Sequence, residues 1–208
     1  MLYLTRTPFI IRRWFYPRYI WRMPVDEKKL YLSFDDGPHP DITPFVLDEL
    51  RKHNAKATFF CIGDNVARYP EVYKRIIEEG HAVGNHTYNH LNGWQTDDRL
   101  YFENIAEAAK WIDSSLFRPP YGRITRFQAK QLMEKWQYNI VMWDVLSGDF
   151  DIQLSPERCL KNVTRNMRSG SVIVFHDSEK AYKRLCYALP KVLEKGRDRG
   201  YVFNKIML

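Results

Sequence analysis

At 208 residues, with 45% hydrophobic and 15% aromatic content, the chain is long enough to bury an ordinary core as one domain. No apolar run reaches the roughly 18 residues that a membrane-crossing helix needs. The net charge of +7 is unevenly placed: Arg6, Arg12, Arg13, Arg18 and Arg22 all precede the first acid, Asp26. The remainder is only mildly basic, which argues against a nucleic-acid partner, since that needs a basic face built through the fold. Cys61, Cys159 and Cys186 are odd in number and lack metal-type spacing. They read as reduced thiols and favour a reducing, cytoplasmic location, in solution or at a membrane surface.

Residues 1–24 interleave those arginines with Tyr3, Phe9, Trp14, Phe15, Tyr16, Tyr19 and Trp21. They hold no unbroken apolar stretch of about 7–15 residues, so no secretory signal is read there. Two readings stand: a basic aromatic arm packed on one end of the domain, or a segment making peripheral contact with an anionic membrane. The domain proper is placed at residues 25–208. It opens with an apolar strand, Leu30 to Phe34, that stops on two adjacent carboxylates, Asp35 and Asp36, before Gly37-Pro38 turns the chain away.

Thr43-Pro44 predicts an N-cap and first helical position, with a helix running to about Asn54. A strand over Ala57–Cys61 follows, then a helix over Pro70–Glu79 stopped by Gly80, and a strand over His81–Gly84. Asp97–Asp113 reads as helix, Leu116–Arg118 as a clipped strand, Arg126–Trp136 as helix and Asn139–Val145 as a single strand. Ser155-Pro156 caps a helix to about Met167; Ser171–Phe175 is strongly β-prone; Lys180–Glu194 is helical and Tyr201–Phe203 a last strand. About seven strands alternating with helices imply parallel pairing and right-handed crossovers. The fold class is therefore α/β, with an irregular (β/α) barrel of about seven parallel strands, TIM-like, ahead of an open doubly wound sheet.

The chemistry gathers at strand ends. Adjacent acids in a half-buried place call for a cation nearby. His86 and His90, four apart, share one face if their stretch is helical, a spacing that presents two imidazoles to one metal. With Asp36 they make an open ligand set, the mark of a catalytic rather than a structural site; zinc is the first choice, with cobalt, nickel, iron or manganese able to substitute. Arg118-Pro119-Pro120-Tyr121-Gly122 is a stiff loop with a guanidinium suited to a two-pronged carboxylate bond. Asp144 and Asp149 follow a strand, as acids or as simple caps. His176, at the end of another, suits a proton donor near neutral pH. His39, His53 and His81 read as ordinary.

In this order the pieces resemble the polysaccharide deacetylases of the NodB-homology type, carbohydrate esterase family four. The resemblance runs from residue 29 to about 195. Ser33-Phe34-Asp35-Asp36-Gly37-Pro38 resembles the first motif of that family, His86-Thr87-Tyr88-Asn89-His90 the second and Arg118-Pro119-Pro120-Tyr121-Gly122 the third. Asp149-Phe150 falls where the fourth usually reads Asp-Trp, and Phe175-His176 falls in the fifth. The resemblance implies a deformed (β/α) barrel, a divalent metal on Asp36, His86 and His90, and Asp35 as base. It implies an oxyanion contact from the Tyr121 amide, His176 as acid, Arg118 orienting Asp35 and Asp149 tuning His176. Phe150 departs from the pattern and puts the acyl pocket in question; Trp143 or Trp94 is a candidate to fill the gap, and Gly122 lines it. The implied reaction removes N-acetyl groups from peptidoglycan or a chitin-like oligosaccharide. Alternatives are a deformylase or deacetylase of a lipid-linked amino sugar, an O-acetyl xylan esterase and, in another class, a non-catalytic glycan-binding module.

Overall fold

The computed structural model describes residues 4–25 and 27–208, with Phe15 through its backbone only; Tyr3 and Asp26 lie outside the described residues. Strand β1 (Lys29–Asp35) lies in the interior of a parallel sheet. The other strands are β2 (Ala57–Cys61), β3 (Ala82–Asn85), β4 (Leu116–Phe117), β5 (Asn139–Ile140), β6 (Val145–Leu146), β7 (Val172–His176) and β8 (Val202–Phe203). Their order is β5-β4-β3-β2-β1-β7-β6, with β8 pairing the start of β1. Seven parallel strands thus form a curled half-barrel flanked by helices, as the alternation of elements predicts.

Residues Leu30 to Asp35 of β1 are buried whichever way they point, which is what a strand covered on both faces requires. The two faces do different work, because side chains alternate. Leu30, Leu32 and Phe34 join the main core with Phe59, Phe175, Val46, Leu185 and Leu189. This places them under helices α1 (Ile42–Lys52) and α7 (Glu179–Asp198). The Phe34 ring stacks on Phe59 and Phe175 at 5.1 and 6.1 Å. Tyr31, on the other face, belongs to a second cluster with Phe60, Leu116, Val141 and Val172. Ser33 and Asp35 share the parity of Tyr31, so β1 aims its polar side chains where the chemistry is.

One expected strand is two. Asn139–Val145 divides into β5 and β6, which lie at opposite ends of the strand order. The carbonyls of Val141 and Met142 accept from the Arg118 guanidinium, at 3.0 Å each. The chain between the two short strands is thereby spent on a side chain instead of a ladder. Residues of the N-terminal arm cover both open edges. Ile20 pairs beside Val141, donating to the Ile140 carbonyl and accepting from the Met142 amide at 2.8 and 2.7 Å. Arg6 pairs antiparallel with Val145, while Thr7 donates to the Asp144 carbonyl and Leu146 to the Thr5 carbonyl, both at 3.0 Å. Exposed strand edges are a liability, and here a segment of the same chain occupies them.

The remaining helices are α2 (Gly63–Arg68), α3 (Pro70–Glu78), α4 (Asp98–Ala109), α5 (Arg126–Glu134) and α6 (Pro156–Thr164). Sequence reasoning missed α2, and it ended α7 at Glu194 although the buried Leu189, Val192, Leu193 and Gly196 carry it past Pro190 to Asp198. Ser155 caps α6 as its position before proline suggests, accepting from Arg158 N at 3.2 Å. Thr43 does not cap α1: the helix begins at Ile42, and the Thr43 hydroxyl accepts instead from the His39 amide and meets Asp177. The described residues contain no helix long and apolar enough to cross a membrane, and the three cysteines are free thiols.

Candidate active site

The parallel register brings the ends of β1 and β7 level, with Asp35 beside His176. Adjacent strands lie about 4.8 Å apart, so the carboxylate and the imidazole are brought to the same small volume. Each has its own support. Arg118, fully buried on the Phe60 ring at 4.0 Å, donates from Nη1 to Asp35 Oδ1 at 2.6 Å and to Ser33 Oγ at 2.8 Å. The contact with Asp35 uses one nitrogen, since Nη2 and Nε go to the backbone; the expected two-pronged grip is not formed. Burial pulls the Arg118 guanidinium down and Asp35 pushes it back. His176 Nδ1 donates to Asp149 Oδ1 at 2.7 Å, and its backbone N–H donates to Asp149 Oδ2 at 2.7 Å. Burial opposes a charge on His176, but Asp149, followed by Asp36 and Asp35, holds the proton on to about pH 10. The Phe150 ring stands edge-on to the imidazole at 5.3 Å.

Asp36, His86 and His90 converge, with one ligand atom of each within 4.8 Å of the others. They do so from a loop and not from a helix face. Residues 86–91 carry no helix, and Thr87 and His90 take left-handed φ values of 64° and 57°. Asp36 and Tyr121 do the same at 80° and 60°, so four of the six described non-glycine residues with positive φ lie in these loops. Such conformations cost of order 1–3 kcal/mol each and persist where the surroundings over-determine them, typically at functional sites. His86 donates from Nδ1 to the Arg118 carbonyl at 2.7 Å, which leaves Nε2 with its lone pair toward Asp36. Burial brings its pKa down to about 4, so the ring is neutral, as a metal ligand must be. Burial alone would raise the Asp36 carboxyl, but His90 and the neighbouring imidazoles hold it well below the usual range. Asp36 Oδ1 is buried without a hydrogen-bond partner, although His90 Nε2 is 3.2 Å away and His86 Nε2 3.8 Å. An orphaned anionic oxygen flanked by two imidazole nitrogens fits a divalent cation.

Tyr121 presents its ring 4.6 Å from His90 and is 61% exposed. Gly122, at φ 67°, is held so close to Trp143 that a β-carbon would lie 2.6 Å from the indole. Trp143 therefore packs against the third motif, whereas Phe150 is across the site on His176. Trp94 spends its indole N–H on the Ile124 carbonyl at 3.0 Å. Asp144 is not part of the site: its carboxylate meets Arg12, Arg22 and Arg168 beside the arm.

Several supporting residues escaped sequence reasoning. Ser33 bridges Arg118 to the Ile173 carbonyl, Ser147 donates to Asp149 Oδ1 at 2.9 Å, and Asn65 donates to the Asp36 carbonyl at 2.7 Å. Asp177, pushed by burial up to about 7, accepts from the Gly37 amide at 3.1 Å and meets the Thr43 hydroxyl. Ser33 and Asp177 sit beside recognised motif residues, which was the available signal; Asn65 and Ser147 gave none.

The sequence profile of the polysaccharide deacetylases matches residues 22–141. The chain belongs to the polysaccharide deacetylase family. Within it, a peptidoglycan-N-acetylglucosamine deacetylase of Bacillus cereus is 36% identical over 189 residues, covering 88% of each chain. A chitooligosaccharide deacetylase of Azorhizobium caulinodans is 34% identical over 163 residues, 75% of this chain and 77% of the other. The crystal structure of a peptidoglycan N-acetylglucosamine deacetylase in complex with 4-naphthalen-1-yl-N-oxidanyl-benzamide superposes with a TM-score of 0.87 at 33% identity, covering 96% and 95% of the two chains. The family's hydrolase class and its curled (β/α) barrel are thus those of this chain.

Proposed function

We propose that this chain is a metal-dependent hydrolase that removes N-acetyl groups from an N-acetylated glycan, of the peptidoglycan or chitin-like oligosaccharide class, releasing acetate and a free amine. The observation that carries the reading is the meeting of three groups: the Asp36–His86–His90 ligand set, the Asp35–Arg118 pair and the Asp149–His176 pair. The names of the relatives supply the substrate class.

Asp36, His86 and His90 would hold the cation, zinc first among the candidates. A divalent cation supplies Lewis acidity that polarises a carbonyl and makes water a nucleophile at neutral pH. Asp35, fixed by Arg118 and 4% exposed, takes the proton of the attacking water. The Tyr121 amide N–H serves as a preorganised donor to the oxyanion, a contribution of roughly 3–4 kcal/mol if well placed. His176 delivers its Nε2 proton to the departing nitrogen as the C–N bond breaks, while Asp149, bonded to Nδ1, stabilises the imidazolium until then. Gly122, Trp143 and Phe150 form walls around the acyl group.

Acetate release from N-acetylglucosamine oligomers, with metal content measured in parallel, tests the reading. Activity should vanish on chelation and return with zinc or cobalt. A fully folded, metal-loaded protein that releases no acetate from any such oligomer would overturn it.

A further inference from the structure

We propose that the arm, over residues 4–22, docks this protein peripherally on an anionic lipid surface; the proposal stands independently of the reaction assigned above.

The backbone of the arm is already committed to the edges of β5 and β6, so its side chains are displayed from a fixed frame. Four of them are large, apolar and facing solvent: Leu4 (59% exposed), Phe9 (64%), Ile10 (61%) and Trp14 (77%). Scattered exposed apolar residues need no explanation, but four within eleven positions of one segment concentrate apolar surface there, and such concentrations mark interaction surfaces. The last three lie in or beside the π-helical turn Ile11–Phe15.

The charge of the arm is positive in excess, although Arg18 pairs with Glu134 at 2.9 Å. Five of the seven excess positive charges lie in the first 25 residues, which contain no Asp or Glu. Asp144 draws Arg12 and Arg22 inward, together with Arg168. One carboxylate cannot neutralise three guanidiniums: Arg22 Nε and Arg168 Nε lie 3.3 and 3.5 Å from the same Asp144 Oδ2, and neither they nor Arg12 Nε complete a hydrogen bond. Burial lowers the pKa of both Arg12 and Arg22, and Arg6 adds its repulsion to each. Arg6 and Arg13 remain exposed. The potential over the patch is therefore positive and selects an anionic partner. Aromatic side chains among arginines suit the interface of an anionic bilayer, where rings enter the headgroup layer and guanidiniums meet phosphate. A nucleic acid fits less well, because the rest of the chain is close to neutral. Since the arm is already ordered, docking carries little of the ordering cost that a free peptide would meet.

The test is co-sedimentation of the full chain with vesicles of phosphatidylcholine alone or mixed with phosphatidylglycerol, over a range of sodium chloride. Binding to the mixed vesicles, reversal by salt and absence of binding to phosphatidylcholine alone are expected. Replacing Arg6 and Arg13 by glutamate should weaken binding by roughly fivefold or more per arginine. Replacing Phe9 and Trp14 by serine should weaken it by about tenfold or more. Both variants should keep the parent's melting temperature and its rate on a soluble substrate. Quenching of tryptophan fluorescence by brominated anionic lipid, on the unaltered chain, gives a readout free of folding effects. Failure of the parent to bind mixed vesicles at low salt would overturn the proposal. So would equal binding to both vesicle types, or well-folded variants that bind as tightly as the parent.

Discussion

Arg118 makes four hydrogen bonds, to Asp35, Ser33, Val141 and Met142, and so ties the Asp35 carboxylate, the proposed base, to neighbouring strands. Its role rests on geometry that lysine lacks, because an ammonium is a point charge without a planar fork. Arg118→Lys should keep the fold marginally and lose about 100-fold in kcat, as general-base catalysis is degraded. Ser33→Ala removes one acceptor from a buried donor; a fall of about 1–3 kcal/mol in unfolding free energy, measured with denaturant, is expected. For Asp149 the prediction concerns pH. The pKa of His176 is raised in the folded state above its ordinary value of about 6.5, so its contribution to stability is complete below that value and is lost as pH rises toward about 10. Asp149→Asn removes the main attraction. In metal-free protein the slope of stability between these limits should flatten, and in loaded enzyme the alkaline limb of the kcat profile should move to lower pH. An unchanged limb would show that His176 is not the proton donor.

The elements show where sequence reasoning reached and where it stopped. Strand β2 is legible to the residue, and β1 and β7 to within one, because each is a short apolar run; β1 and β7 end on a charged or polar group and β2 just before Gly63. The residues that gather at the candidate site stand out in the sequence in the same way: Asp35, Asp36 and His176 are polar side chains at strand ends among apolar neighbours, and the structure brings them together with His86, His90 and Arg118. What periodicity does not register is a loop that does the work of a helix. The i,i+4 spacing of His86 and His90 suggested a helical face, yet their approach is made by left-handed turns at Thr87 and His90. Asn139–Val145 misled in the same way, since its apolar content cannot show that Arg118 claims its carbonyls. Gly37 illustrates how tightly such loops are fitted: a β-carbon there would lie 2.1 Å from Asp177 Oδ2. Gly37→Ala should therefore displace Asp36 and cost activity far more than stability. Metal content falling with activity, while the melting temperature drops only a few degrees, is the expected result.

At the scale of the whole molecule, the sheet does not close on itself; β5 and β6 are joined through Ile20 and Arg6 of the arm. Asp144 is the electrostatic bolt of that join. Asp144→Ala leaves Arg12, Arg22 and Arg168 without the carboxylate they share; because the three guanidiniums are partly exposed, the loss should be about 1–3 kcal/mol, below that of a fully buried pair. Limited proteolysis should then cut within residues 5–22 of the variant before any other site, while the parent is cut there slowly. The same join has a bearing on how the molecule is made. Thr7 and its partner Trp143 are 136 positions apart, so during synthesis the arm waits, unpaired, until most of the chain has followed it. The closure entropy of so long a span grows only as the logarithm of its length, yet it is met before the contacts repay it, so this pairing comes late in assembly. The barrel is thus finished by the stretch translated ahead of nearly all the rest, and until then a basic, aromatic tether is free to find other company.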